Sequence, residues 1–204
     1  SLLFLYFICM KSFLTVSGVV MILLAALTGS GEAETSSKTD TIVLGGGCFW
    51  CVEAVYERIE GIVDAVSGYA GGSVKNPTYE QVSTGRTGHA EVVQLTYDPS
   101  KITLEKILEI FWKAHDPTTP NRQGADVGTQ YRSIILYKNE AEHRMAEESK
   151  RKAQSAFRSP IVTEILPLTE FYRAEEYHQD YYRKNPYAGY CTFVIRPKLE
   201  KLGL

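Results

Sequence analysis

A short β-rich run at residues 41–44, Thr-Ile-Val-Leu, stops at three consecutive glycines, Gly45-Gly46-Gly47, and Cys48-Phe49-Trp50-Cys51 follows at once. No other stretch restricts the fold as tightly. Glycine loses more conformational freedom on ordering than any other residue, so three in a row end a regular element and mark a turn. Val52, Val55, Tyr56 and Ile59 then recur at helical spacing, which predicts a helix over 48–59. The unit is strand, glycine turn, helix, with Cys48 at the helix entrance. There it meets unpaired backbone N–H groups and the positive end of the helix dipole. Both favour the thiolate, the nucleophilic form. The glycines remove bulk in front of the sulfur, and Phe49 and Trp50 offer an apolar wall. A zinc site would need a second ligand pair at suitable spacing, and the sequence supplies none, so no metal is expected.

Gly61 closes this helix. Strands are predicted over 62–69, 89–97, 131–137 and 161–166, with a short extended piece at 192–195. Leu104, Ile107, Leu108, Phe111 and Trp112 predict an amphipathic helix over 103–115, a charged surface helix fits 140–156, and a tyrosine-rich helix fits 174–184. One helical turn is expected at 79–82. Residues 116–129 form a long loop with two prolines and two glycines, and loops of that length in compact domains are usually functional. Strands and helices alternate irregularly, with one strand pair lacking a helix between. That pattern describes a single α+β domain, a mixed β-sheet covered by helices. The 204 residues suit one domain with an extension, and the formal net charge of −2 argues against nucleic acid as a partner.

Other residues with chemical potential lie beyond the glycine turn. Alternation along 89–97 puts His89, Glu91, Val93 and Leu95 on one face. A carboxylate among Val92 and Val93 is desolvated, which raises its pKa and suits it to general acid work near neutral pH. His89 reads as a hydrogen-bonding partner in the preceding turn. Tyr79 and Tyr131, each flanked by polar turn sequence, could present hydroxyls to an anionic oxygen. Asp126 lies in the long loop between Gly124 and Gly128. His178, Tyr181 and Tyr182 read as packing residues. Of four cysteines, Cys9 falls in an N-terminal apolar stretch. The remaining three, Cys48, Cys51 and Cys191, are an odd number better suited to redox chemistry than to a disulfide framework.

At the N-terminus, Met10-Lys11 reads as the start of an export signal. An apolar run over 13–27 leads to Gly31 and Ala33 at two small-residue positions, with cleavage expected after Ala33. This divides the chain into a signal region at 1–33, a polar linker at 34–40 and a domain at 41–204. The alternative is an uncleaved anchor, since a spanning helix needs ~20 apolar residues and 2–27 could supply them. Either reading puts the domain outside the cytoplasm: periplasmic, secreted or tethered to the membrane.

Six segments together resemble the peptide methionine sulfoxide reductase A family. They are Gly46-Gly47-Cys48-Phe49-Trp50, Gly68-Tyr69-Ala70-Gly71-Gly72, Asn76-Pro77-Thr78-Tyr79-Glu80, Thr87-Gly88-His89-Ala90-Glu91, Gly124-Ala125-Asp126-Val127-Gly128-Thr129-Gln130-Tyr131-Arg132-Ser133 and Tyr177-His178-Gln179-Asp180-Tyr181. They occur in order over nearly all of 41–198. The resemblance implies a ferredoxin-like two-layer α/β sandwich. It implies Cys48 as nucleophile, Phe49 and Trp50 as the pocket for the substrate methyl group, and Glu91 as the acid at the sulfoxide oxygen. Tyr79 and Tyr131 would assist, and Asp126 would shape the site. It implies reduction of the S epimer of methionine sulfoxide, free or in oxidised proteins, without a cofactor, and a monomer is expected. The route passes through a Cys48 sulfenic acid and an intramolecular disulfide, which a thioredoxin-like dithiol reduces.

Many family members have glycine after the Phe-Trp pair, where this chain has Cys51, so the resolving thiol is open between Cys51 and Cys191. Cys51 is three residues from Cys48 and pre-positioned, and is expected to form the first disulfide. Cys191 follows a flexible-looking stretch, Asn185 to Tyr190, and its place resembles that of the tail cysteine many members use for recycling. The competing reading is a thioredoxin-like CxxC disulfide oxidoreductase. It leaves Glu91, Tyr79 and the Asp126 loop unexplained.

Overall fold

The computed structural model describes residues 38–204, so the expected signal region and its cleavage point lie outside the described residues. The strands are β1 (Asp40–Gly46), β2 (Ile62–Ala70), β3 (Ala90–Tyr97), β4 (Arg122–Gln123), β5 (Asp126–Val127), β6 (Ser133–Tyr137), β7 (Glu164–Pro167) and β8 (Phe171–Arg173). The helices are α1 (Phe49–Tyr56), α2 (Tyr79–Ser83), α3 (Leu104–Ala114), α4 (Glu140–Ala153), α5 (Tyr181–Lys184) and α6 (Arg196–Leu202). Six strands make one sheet in the order β7-β6-β1-β3-β2-β8, and β4 pairs with β5 alone. All neighbours in the large sheet are antiparallel except β6 and β7, so the sheet is mixed. This is an α+β domain with helices over a mixed sheet. Among the described residues no helix is long and apolar enough to cross a membrane.

Strict alternation along the central strands separates two cores. Ile42, Leu44, Tyr69, Val93, Leu95 and Ile135 face α1 and α3 in the main core. Val43, Ala70, Val92, Ile134 and Leu136 point the other way, where Leu168 and Phe171 cover them. Helix α3 starts at Thr103, whose side chain accepts from Lys106 N–H, and buries Leu104, Ile107, Leu108, Phe111 and Trp112 against the sheet. Each such burial contributes roughly 1.5–3 kcal/mol. Short α2 is secured by a reciprocal box between Thr78 and Gln81.

Two predicted elements are different in the structure. The helix expected over 174–184 is a 3₁₀ turn at Glu176–His178 and then α5, because Gln179 is extended and Asp180 takes a left-handed φ of 54°. Strand β8 precedes them. The extended piece expected at 192–195 is a π-helical turn, Cys191–Ile195, running straight into α6 with Pro197 in its first turn. Cys191 is therefore no part of a loose tail. It is buried in helical backbone against the main core. The predicted 48–59 helix is also shorter, ending at Tyr56.

Candidate functional site

The site forms where β1 runs into α1. Gly47 adopts a φ of 97°, and a Cβ there would stand 2.7 Å from the Gln123 side chain. A Cβ on Gly45 would come within 2.8 Å of the Glu91 carbonyl oxygen on β3. The glycines thus let Gln123 and β3 close in. At Gly47 the space is taken by Gln123 rather than left open in front of the sulfur.

Cys48 is the N-cap residue of α1 and makes no side-chain capping bond. The first helical N–H, on Phe49, is given to Glu91 Oε2 at 3.0 Å. Glu91 therefore caps the helix from the neighbouring strand, at the positive end of the dipole, a place that favours its ionised form. Its side chain is nonetheless 1% exposed. Burial dominates, and the carboxyl pKa rises to about 8, against the lowering bonds from Phe49 N–H and the Cys48 thiol and with a further push from Asp126. The upward shift expected of a carboxyl among Val92 and Val93 is the direction that burial gives it.

The thiolate expected at Cys48 does not arise in the same way. Cys48 is 7% exposed, and burial holds its pKa well above the ordinary thiol value, together with its hydrogen bond to Cys51 and the nearby Glu91 charge. The N–H that would have stabilised a thiolate is spent on Glu91. Within the Cys48–Cys51 pair the first proton leaves at Cys51, at about 7. The hydrogen bond from Cys48 holds it down against burial, and the Lys198 ammonium on α6 adds to the effect. Cys48 thus shares a proton with a neighbour on each side, a carboxyl and a thiol.

The tyrosines and Asp126 reach the same point from separate segments. Tyr79 opens α2, and its backbone N–H is fixed by Glu175 Oε1 at 2.9 Å. Tyr131 ends a 3₁₀ turn before β6. Both are half-buried, and burial and the Glu91 charge raise both hydroxyl pKa values, which keeps them as O–H donors. Asp126 sits on β5, in a small hairpin whose turn includes Gly124 at a φ of 60°. It accepts a 2.6 Å hydrogen bond from the Tyr190 hydroxyl, whose oxygen lies 3.6 Å from Cys51 Sγ. Since Tyr190 gives its proton to Asp126, a protonated Cys51 is the donor toward Tyr190.

Trp50 is held at its edge and on its face. Its Nε1–H donates to His178 Nδ1 at 3.2 Å, and the Tyr181 ring stacks on the indole with centroids 3.7 Å apart and planes 7° from parallel. Phe49 is buried beside it against Tyr69 and His178. His178, Tyr181 and Tyr190 are site residues that sequence reasoning took for packing or passed over, and Lys198 was not considered. His89 does what the sequence suggested: it accepts from Gly72 N–H at 3.1 Å, with its other nitrogen 2.7 Å from the Val74 carbonyl. Cys191 is buried and near enough to Cys51 to feel its charge.

Comparison with known proteins gives one answer. The family model described as peptide methionine sulfoxide reductase matches residues 40–203. A relative from Trichodesmium erythraeum, a peptide methionine sulfoxide reductase MsrA, is 56% identical over 165 residues, 80% of this chain and 93% of that protein. Among solved structures, reduced Mxr1 from Saccharomyces cerevisiae is similar at a TM-score of 0.73 and 40% identity, over 76% of this chain and 91% of that one. Mxr1 in complex with Trx2 is similar at a TM-score of 0.53 and 31% identity, over 72% of this chain and 86% of that one.

Proposed function

The chain belongs to the peptide methionine sulfoxide reductase family, and from that premise we propose how its own residues reduce methionine sulfoxide to methionine. The observation that carries the reading is the Cys48–Glu91 pair: a buried thiol at a helix entrance, hydrogen-bonded to a buried carboxyl whose pKa is about 8. Glu91 holds its own proton as the acid, and the Cys48 thiol passes its proton to Cys51, the member of the thiol pair that ionises first, so that thiolate and acid stand side by side. The substrate methyl group packs against Trp50 and Phe49, and its oxygen faces Glu91 with the Tyr79 and Tyr131 hydroxyls. Cys48 S⁻ attacks the sulfoxide sulfur while Glu91 gives its proton to the oxygen. The substrate S–O bond breaks and the oxygen ends on Cys48 as S–OH. Methionine leaves, reduced by two electrons, and Cys48 is oxidised by two.

Cys51 then attacks the sulfenic sulfur, water departs and a Cys48–Cys51 disulfide forms. The hydrogen bond between the two thiols and the low pKa of Cys51 support this order. Cys191 beside it attacks Cys51 in a second exchange, giving a Cys51–Cys191 disulfide and freeing Cys48. A thioredoxin-like dithiol, as the Mxr1 complex with Trx2 suggests, reduces that bond by exchange. Asp126 acts through Tyr190, which it holds against Cys51.

The family resemblance supports the S epimer as substrate. The central order β6-β1-β3-β2, with α1 and α3 in the crossovers, supports a ferredoxin-like core. Residues 10–33 read as an export signal, and N-terminal sequencing of the secreted protein should find Glu34 first. The functional test offers the separate S and R epimers with dithiothreitol and assays methionine. Turnover of S alone is the expected result; turnover of R alone, or of neither, defeats the reading.

A further inference from the structure

Helix α1 itself holds a second buried carboxylate that the reaction does not use. Glu53 is 1% exposed, one turn past Trp50. Its Oε1 accepts from the Ser67 hydroxyl of β2 at 3.0 Å, and its Oε2 accepts from the Tyr181 N–H at 3.3 Å. The Asp180 N–H donates to it as well. Asp180 is a non-glycine residue at a left-handed φ of 54°. That backbone turn points two successive N–H groups at one spot, the arrangement that cradles an anion. Here the anion is supplied by the chain itself. Next to it, buried Gln179 accepts from Ser67 N–H at 3.0 Å and donates to the Ser67 and Ala174 carbonyls at 3.0 and 2.9 Å. Glu53, Ser67 and Gln179 thus fasten the 174–181 segment to α1 and β2.

That segment carries both groups that fix Trp50, the stacked Tyr181 ring and the His178 nitrogen. We infer that Glu53 is a positioning residue for the substrate pocket: by gripping the backbone at Asp180 and Tyr181 it sets the Tyr181 ring, and through it the plane of the Trp50 indole. The inference rests on the reading of Trp50 as the wall for the substrate methyl group. Burial in the same place lifts the Glu53 pKa to about 7, opposed by its hydrogen bonds. The charges that act on it are Glu57 on its own helix and Arg183 of α5, while Asp180 meets it through its backbone N–H and β2 contributes the uncharged Ser67.

The test is a double-mutant cycle between Glu53 and Tyr181, read as KM and kcat for methionine sulfoxide. Glu53→Ala should raise KM roughly tenfold, the loss of one charge-assisted hydrogen bond, with kcat little changed. Glu53→Gln, which can still bridge Ser67 and Tyr181, should raise it less. In a Tyr181→Ala background neither change should raise KM further, because the lost grip then has no ring to position. With Trp112→Phe added, Trp50 is the only tryptophan left in the chain. Its fluorescence should shift in Glu53→Ala and Glu53→Gln and not respond to them once Tyr181 is Ala. Should Glu53→Ala fail to fold, the cycle with Glu53→Gln decides alone. Additive KM effects, or an unchanged KM and Trp50 signal in folded Glu53 variants, overturn the proposal. Trp50→Ala with wild-type KM would overturn the pocket reading itself, and is measured alongside to tell the two failures apart.

Discussion

Two buried carboxylates serve α1, Glu53 on the helix itself and Glu91 at its start from β3, and their surroundings are filled to different degrees. Glu53 has both oxygens engaged by fixed protein donors, Ser67 on one and Tyr181 on the other. Glu91 has one fixed backbone donor, Phe49 N–H on Oε2, and its other partner is the reactive Cys48 thiol. Burial raises both pKa values, to about 7 and about 8. A perturbed pKa alone therefore does not separate a catalytic acid from a structural clamp. The difference lies in spare hydrogen-bonding capacity. Glu91 keeps an oxygen available for a ligand beside a nucleophile, whereas Glu53 has spent its own on holding the chain.

The comparison can be broken by substitution, starting where the effect is largest. Cys48→Ser should leave no measurable reduction with the fold intact, because a hydroxyl is too weak a nucleophile. Circular dichroism checks the fold, and residual turnover in the Ser variant would remove Cys48 from its role. Glu91→Gln should slow methionine formation in a single turnover by about 10²–10⁴-fold, the range for a lost general acid. Glu53→Gln is expected to leave that step nearly untouched, and equal losses in the two variants would erase the distinction between them. Tyr79→Phe and Tyr131→Phe should each cost roughly tenfold in the same step, the worth of one neutral hydrogen bond. No loss in either would leave Glu91 alone at the oxygen. Cys51→Ser should have the smallest effect on the first turnover. Methionine should still appear in that turnover, while steady-state recycling slows and mass spectrometry no longer finds a Cys48–Cys51 bond. A Cys48–Cys191 bond in the wild type, with recycling unimpaired in Cys51→Ser, would reverse the order of exchange.

The region around Glu91 was legible in the sequence, and the region around Glu53 was not. Three glycines, a helix-start cysteine and a carboxylate in a valine-rich strand are local signals, and each placed its residue where the structure has it. Even there one step failed. The helix-start argument assigned the free N–H groups to Cys48, but the Phe49 N–H goes to Glu91, a partner 42 residues away in sequence. Behind Glu53 the deciding interactions are all of that distant kind. Tyr177, Tyr181 and Tyr182 have helical spacing, yet Gln179 bonds Ser67 instead of continuing a helix, and Asp180 turns left-handed to meet Glu53. Thr192-Phe193-Val194-Ile195 has the composition of a strand and forms a π-helical turn packed on α1. Tyr190 precedes that turn, so its contact with Cys51 and Asp126 could not be read before the turn was known.

The pH dependence of the single-turnover rate tests the role of Glu91 most directly. Its pKa is raised by burial to about 8, so the acid is protonated, and able to donate, below that pH. The wild-type rate should be greatest between about pH 7, where the Cys48–Cys51 pair loses its first proton, and about pH 8, and fall roughly tenfold per unit above that, the slope for loss of one essential proton. In Glu91→Gln the rate should be low and that alkaline fall should be gone. The same alkaline fall in the Gln variant, or a wild-type rate that climbs through pH 9 as thiolate formation alone would make it climb, would contradict the account.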